Sequence, residues 1–143
     1  MIPLDRLDKL LHAHDLRLTR PRRVVFEFFA LADEPIQFPQ ILEALGGVID
    51  RASIYRAVTL FKELGVIKQV HRPGRQWLEL GENFSGHHHH LACTNCGRSQ
   101  TLNDQGVEAS LRSAAAAAGF RPTSHHLEIS GLCAECLAAA SDQ

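Results

Sequence analysis

The four cysteines of this chain fall into two C-x-x-C pairs, Cys93-Thr94-Asn95-Cys96 and Cys133-Ala134-Glu135-Cys136. A tetrahedral zinc ion takes four thiolates, and each pair supplies two from one tight turn. If both pairs hold one ion, two distant segments must close to within a few ångströms, which constrains the fold more than any other feature. Two disulfides or buried free thiols are the alternatives. They fit poorly with a reducing compartment, where paired knuckles are metal ligands. The segment Met1-Ile2-Pro3-Leu4-Asp5 lacks the basic start and apolar stretch of a signal peptide, and no apolar run approaches a membrane span. The expected location is the cytoplasm, with no membrane partner.

The 143-residue sequence divides by charge. Residues 1–80 carry 12 Lys+Arg against 10 Asp+Glu, and residues 81–143 carry 3 against 6. The basic residues therefore concentrate in the half without cysteines, and the acidic half suits cation binding. A hydrophobic fraction of 45% supports a packed core.

In the first half, hydrophobic spacing predicts a helix over Leu4 to Leu18 and a second starting at an N-cap Thr19, with Pro21 in its first turn. A short third helix is predicted from about Pro39 to Leu45, stopped by Gly46-Gly47. A fourth begins after Asp50 as N-cap and ends at Gly65. It carries Ile54, Ala57, Val58, Phe61 and Leu64 on one face, with Arg51, Tyr55, Arg56, Thr59 and Lys62 largely off it. Two strands follow, Val66 to Val70 and Gln76 to Leu80, around the turn Arg72-Pro73-Gly74-Arg75.

Three helices and a hairpin form the plan of a winged helix, whose last helix fits the major groove. Arg51, Ser53, Tyr55, Arg56 and Thr59 would face the duplex, and Arg72 and Arg75 on the hairpin tip would meet phosphates. A solvated helix face and an ordinary basic turn are the bland alternative.

Residues 81–86 are polar and read as a linker. Beyond them the pattern predicts strands at His88–Cys93 and Arg98–Leu102, a helix at Asp104–Gly119 and a strand at Ser124–Ser130. Alternate residues of a strand face opposite ways. An extended His87 to His90 would send His87 and His89 to one side and His88 and His90 to the other. Glu108 and His125 are candidates to complete a four-ligand site with His87 and His89, and Glu79 is a candidate to join His88 and His90. Imidazole and carboxylate suit Fe(II), Mn(II) and Zn(II) alike. The alternative is a solvated histidine tract. His12, His14 and His71 read as surface or packing residues, and His126 faces away from His125.

These residues, taken in order, resemble the ferric uptake regulator family of bacterial metal-dependent repressors. The resemblance runs from about Leu16 to Cys136. It includes Arg17-Leu18-Thr19-Arg20-Pro21-Arg22, Ala52-Ser53-Ile54-Tyr55-Arg56-Ala57-Val58, Trp77-Leu78-Glu79-Leu80 and the histidine strand leading into Cys93-x-x-Cys96-Gly97. It implies an α+β chain in which a winged-helix DNA-binding domain (1–80) and a linker (81–86) precede a small α/β dimerisation domain (87–143) with a four-cysteine zinc site. Tyr55 and Arg56 match DNA-contacting positions. Cys93, Cys96, Cys133 and Cys136 match the structural zinc ligands. His87, His89, Glu108 and His125 match a site inside the dimerisation domain, and Glu79, His88 and His90 match part of an interdomain sensing site.

One departure stands out. Many relatives supply a histidine to the sensing site from between the second and third helices, where this chain has Glu34-Pro35-Ile36-Gln37-Phe38. That counts against a peroxide sensor, and full commitment of the cysteines counts mildly against a zinc sensor.

The implied function is a homodimeric, metal-responsive repressor of metal-uptake genes at a roughly palindromic double-stranded DNA operator. A structural Zn2+ and a regulatory divalent metal are its expected cofactors, with Fe2+ the leading candidate, Zn2+ the second and Mn2+ a further one. The competing readings are a zinc-uptake repressor, a metallohydrolase built on the His/Glu cluster, and a zinc-ribbon adaptor that binds protein. No enzymatic activity is expected.

Overall fold

The computed structural model describes residues 3–70, 76–125 and 127–141. Its contacts divide the chain into two units, Met1–Gly86 and His87–Gln143.

The first unit opens with α1 (Leu4–Ala13), which buries Leu7 and Leu11. It ends earlier than the predicted Leu18. Asp15 adopts a left-handed backbone (φ 57°), and the Leu16 amide bonds back to the Leu11 carbonyl at 2.9 Å, which closes the helix end. Helix α2 (Arg20–Ala30) follows, with Thr19 at the N-cap position but no hydroxyl bond to the helix. A two-residue strand β1 (Ile36–Gln37), unanticipated from the sequence, leads into α3 (Phe38–Leu45). Helix α4 (Arg51–Glu63) is capped by Asp50, which accepts the Ser53 amide at 2.9 Å, and buries Ile54, Ala57, Val58 and Phe61.

Strands β2 (Ile67–Val70) and β3 (Trp77–Leu80) pair antiparallel, and β1 adds to the free side of β3 through Ile36↔Leu78. The sheet order is β1-β3-β2. Helices α2 and α4 and this sheet close over one core that includes Phe26, Ile41, Phe61 and Leu78. Arg72 and Arg75, expected at the hairpin tip, and His71, read as a surface or packing residue, lie outside the described residues.

Where a polar linker was expected, Glu82–Ser85 forms a single helical turn, α5. Phe84 explains it. Its ring meets Phe26 edge-on at 5.3 Å, giving the segment an apolar anchor in the first unit. Arg6 donates to the Asn83 carbonyl, and Lys68 Nζ lies 3.3 Å from Glu82 Oε1.

The second unit is a three-stranded sheet of order β5-β4-β6, built from β4 (His89–Cys93), β5 (Ser99–Leu102) and β6 (Glu128–Gly131). Helix α6 (Gln105–Ala117) lies between β5 and β6 in sequence, and α7 (Ala134–Ser141) follows β6. Strand β4 runs antiparallel to β5 and parallel to β6. The predicted strand from Ser124 begins only at Glu128. The ladder partner of Glu128 is His90, and β4 itself begins at His89, so earlier residues have almost no strand to pair with. His125 thus precedes the sheet. Among the described residues, the buried side chains of this unit are Cys93, His89, His90 and Ser99.

Candidate metal centres

The sulfur cluster sits where the two knuckles meet. The first knuckle is closed by the Gly97 amide on the Cys93 carbonyl (3.0 Å) and the Cys93 amide on the Arg98 carbonyl (2.8 Å), with Gly97 at φ 74°. The second follows β6, which the parallel ladder brings alongside β4 through Cys93↔Gly131. All four sulfurs lie within 4.8 Å of one another, and Cys96 Sγ is 3.8 Å from Cys133 Sγ. Tetrahedral zinc with Zn–S bonds of about 2.3 Å requires S···S edges of about 3.8 Å. The cluster fits that ion.

Its electrostatics lead the same way. Backbone amides of Cys96 and Cys133 aimed at Cys93 hold its thiol down at about 6. Cys136 accepts from the Asn95 amide at 3.3 Å, which favours its thiolate, but proton sharing with Cys133 and burial outweigh that and push it up to about 11. One sulfur ionises readily and another resists. A divalent cation resolves the conflict by stabilising all four thiolates together.

A second cluster uses nitrogen and oxygen. Glu108 stands in the first turn of α6, whose start is fixed by Asp104 Oδ1 accepting the Gly106 amide at 2.7 Å. His87 Nε2 and His125 Nε2 lie 3.0 and 3.2 Å from Glu108 Oε1 and 3.0 Å from each other, and His89 Nε2 lies 2.5 Å from the same oxygen. Burial works against the Glu108 charge, but hydrogen bonds from His89 and His125 and the positive fields of His125 and His87 leave the carboxyl below its ordinary value. Three imidazole nitrogens converging on one carboxylate oxygen form a donor set for a divalent ion. Ligands at about 2.1 Å from an octahedral ion are separated by about 3.0 Å, against about 3.4 Å around a tetrahedral one. The separations of 2.5–3.2 Å bring all four donors within reach of one ion of either kind.

On the other face of the histidine run, the rings of His88 and His90 approach edge-on at 5.0 Å. Glu79, in the first unit, is buried on β3, opposite Lys68 in the β2–β3 ladder, with Lys68 Nζ 3.2 Å from its carboxylate. Ile36 is buried in the core against β3.

The outward face of α4 carries Arg51, Tyr55, Arg56 and Thr59, all exposed. Ser53 is half-buried and bonded within the helix start. Its hydroxyl donates to Asp50 Oδ2 at 2.6 Å and accepts from Arg56 Nη2 at 3.1 Å, so Ser53 ties Arg56 to the helix cap. Tyr55 packs edge-on against Phe38 of α3 at 5.8 Å. Asp50 in this chain of contacts, Phe38, Asn95, Arg98 and Glu135 were not singled out for the site from sequence. An acid within C-A-E-C and an arginine after C-G were the available signals for the last two.

Comparison with known proteins places these features. Residues 13–130 match the model of the Ferric uptake regulator family. The ferric uptake regulation protein of Escherichia coli K12 is 31% identical over 125 residues, covering 84% of this chain and 83% of the relative. The structure of the Helicobacter pylori ferric uptake regulator, described as having three functional metal binding sites, superposes with a TM-score of 0.78 over 94% of this chain and 91% of that one. At 18% identity, that likeness speaks for the fold. A zinc uptake regulator complexed with zinc and DNA is 25% identical with a TM-score of 0.62, covering 96% and 95% of the two chains.

Proposed function

This chain belongs to the ferric uptake regulator family, and on that premise we propose that it is a dimeric, metal-responsive transcriptional repressor acting in the cytoplasm on metal-uptake genes. It is a regulator and not an enzyme. No helix among the described residues is long and apolar enough to cross a membrane.

The observation that carries the reading is the separation of two donor sets within one unit. The sulfur set of Cys93, Cys96, Cys133 and Cys136 is suited to a tightly held zinc with a structural role. The set of His87, His89, Glu108 and His125 is suited to an exchangeable divalent ion. Glu79, His88 and His90 are proposed as a further, regulatory set joining the two units, with Ile36 in place of a histidine ligand. Arg51, Ser53, Tyr55, Arg56 and Thr59 are the proposed contacts to a roughly palindromic duplex, helped by Arg72 and Arg75. The zinc uptake regulator solved with DNA supports that assignment by likeness.

The residues of this chain do three things in that scheme. The α4 face binds the duplex, the sulfur set fixes the second unit, and the nitrogen and oxygen ligands supply the differential affinity that shifts the population toward the DNA-competent arrangement. Moving an equilibrium from about 1:99 to 99:1 requires about 10⁴-fold tighter metal binding by the favoured state, or about 5.5 kcal/mol. By linkage, DNA tightens metal binding by the same factor.

Iron is the proposed metal. The four cysteines are engaged with one another, so no thiolate among the described residues is left for a zinc-selective second site, and imidazole with carboxylate suits Fe(II). The test is operator binding by metal-stripped protein titrated anaerobically with Fe(II), Zn(II) and Mn(II) in separate experiments, with metal analysis alongside. Tightest binding with Fe(II) is expected. Activation by Zn(II) alone overturns the choice of metal, and binding indifferent to all three overturns the regulatory reading.

A further inference from the structure

The second knuckle supplies Cys133 just before α7 and Cys136 within its first turn, yet the helix itself buries almost nothing. Among its described residues none is buried, and Cys136 is the only half-buried one. Within the single chain, apolar packing of α7 therefore does little to hold the second knuckle against the first. Beside the β4–β6 ladder, the bond from the Thr94 amide to the Gly131 carbonyl and that from Asn95 to Cys136 Sγ, the structure shows one further polar tie. Arg98 Nη1 and Nη2 donate to Glu135 Oε1 and Oε2, both at 2.8 Å, a bidentate pair across 37 positions of sequence. Arg98 directly follows Cys96-Gly97, and its carbonyl closes the first knuckle by accepting the Cys93 amide. Glu135 lies between Cys133 and Cys136 in the first turn of α7, where a carboxylate also complements the helix dipole. The guanidinium thus spans the two turns that present all four sulfurs.

We propose that the Arg98–Glu135 pair is a clasp that positions the zinc site, holding the second knuckle against the first so that four sulfurs stay preformed around one ion. The clasp rests on the reading of the four cysteines as a zinc site. A zinc tetrathiolate carries a net charge of −2, and Arg98, two residues after Cys96 and paired with Glu135 inside the second knuckle, brings a positive charge to it. Arg98 accordingly contributes twice: as a mechanical tie through Glu135 and as a counter-charge to the sulfurs. Both side chains are partly exposed, 51% for Arg98 and 72% for Glu135, so water and salt screen the pair. The clasp therefore governs the rate at which zinc leaves more than whether the unit folds. Partners outside the ligand shell ordinarily change metal affinity by about 10–100-fold, and this exposure puts the expected effect near the lower end, at about tenfold.

The experiment follows zinc transfer from the full-length zinc-loaded protein to a chromophoric chelator in low salt and in about 1 M salt. Arg98→Ala and Glu135→Gln are each expected to release zinc about tenfold faster than wild type in low salt. The charge reversal Arg98→Glu/Glu135→Arg should return to within about threefold, because it rebuilds the tie. Salt should accelerate wild-type release toward the variant rate and leave Arg98→Ala nearly unchanged, a response that loss of packing would not produce. Release from Arg98→Ala at the wild-type rate overturns the clasp. A silent Glu135→Gln beside a fast Arg98→Ala overturns the tie and leaves only the counter-charge. Cys96→Ser run in parallel separates the two levels. If that variant keeps its zinc as firmly as wild type, the tetrathiolate assignment itself falls, and the clasp with it.

Discussion

Replacing Gly81 with alanine should loosen the first unit by an amount that its backbone geometry sets. A Cβ at Gly81 would lie 2.2 Å from the Gly65 carbonyl oxygen and 3.3 Å from the Gly65 carbonyl carbon. Carbon–oxygen approaches ordinarily stop near about 3.3 Å, so the end of β3 must retreat by about 1 Å. The obstacle is main chain in the turn that ends α4, where Gly65 itself holds φ 67°, and no side chain can rotate away to relieve it. That retreat stretches the 2.8 Å bond from the Gly81 amide to the carbonyl of Val66, a fully buried residue. A lost buried bond together with overpacking costs about 2–4 kcal/mol. Trp77 is the only tryptophan and stands on β3, so its fluorescence follows this unit alone through a urea titration. At about 1 kcal/mol/M, the midpoint should fall by roughly 2 M or more. Two companions calibrate the result. Gly47→Ala meets nothing within 4 Å and should stay within about 0.5 kcal/mol of wild type. Gly65→Ala has space but a left-handed backbone and should cost about 1 kcal/mol. Equal midpoints for Gly81→Ala and Gly47→Ala would refute the steric argument.

Three further outcomes follow from the site. Arg56→Ala should weaken binding to a duplex selected by the wild-type protein from a random pool by about 1–3 kcal/mol, measured by fluorescence anisotropy at fixed salt. His89→Ala removes the most buried ligand of the nitrogen and oxygen set, so elemental analysis after loading should find one divalent ion fewer per chain while the sulfur-bound zinc remains. The Asp50 carboxyl is lowered chiefly by the Ser53 hydroxyl and then by the Ser53 amide. Its contribution to stability is thus complete above its ordinary value near about 3.9 and is lost as pH falls through its lower folded value. The stability gap between wild type and Asp50→Ala should persist from about pH 7 to about 5 and close in strong acid, by urea midpoints at each pH.

The sequence exposed some parts of this molecule and hid others for physical reasons. Helix α4 was legible because its cap, its apolar face and its glycine stop are all local signals. The histidine alternation was legible because a strand has a fixed period of two. His87 and His89 do converge on Glu108, with His88 and His90 facing each other. Strand β1 was hidden, since two residues have no periodicity and pair only because β3 offers a free edge. The turn at Glu82–Ser85 was hidden because its polar composition resembles a linker, while one phenylalanine anchors it. The start of β6 depended on where β4 begins, a tertiary fact absent from the segment itself. The bonds of Ser53 to Asp50 and Arg56 were hidden, because helix spacing places a hydroxyl on a face without saying which neighbours it reaches.

The second unit buries sulfur and imidazole where the first buries leucine and phenylalanine. An interior made of ligands has little cohesion until its ion arrives. Stripping zinc should therefore loosen this unit ahead of the first, leaving the metal-free half open to proteases while the leucine and phenylalanine core stays closed.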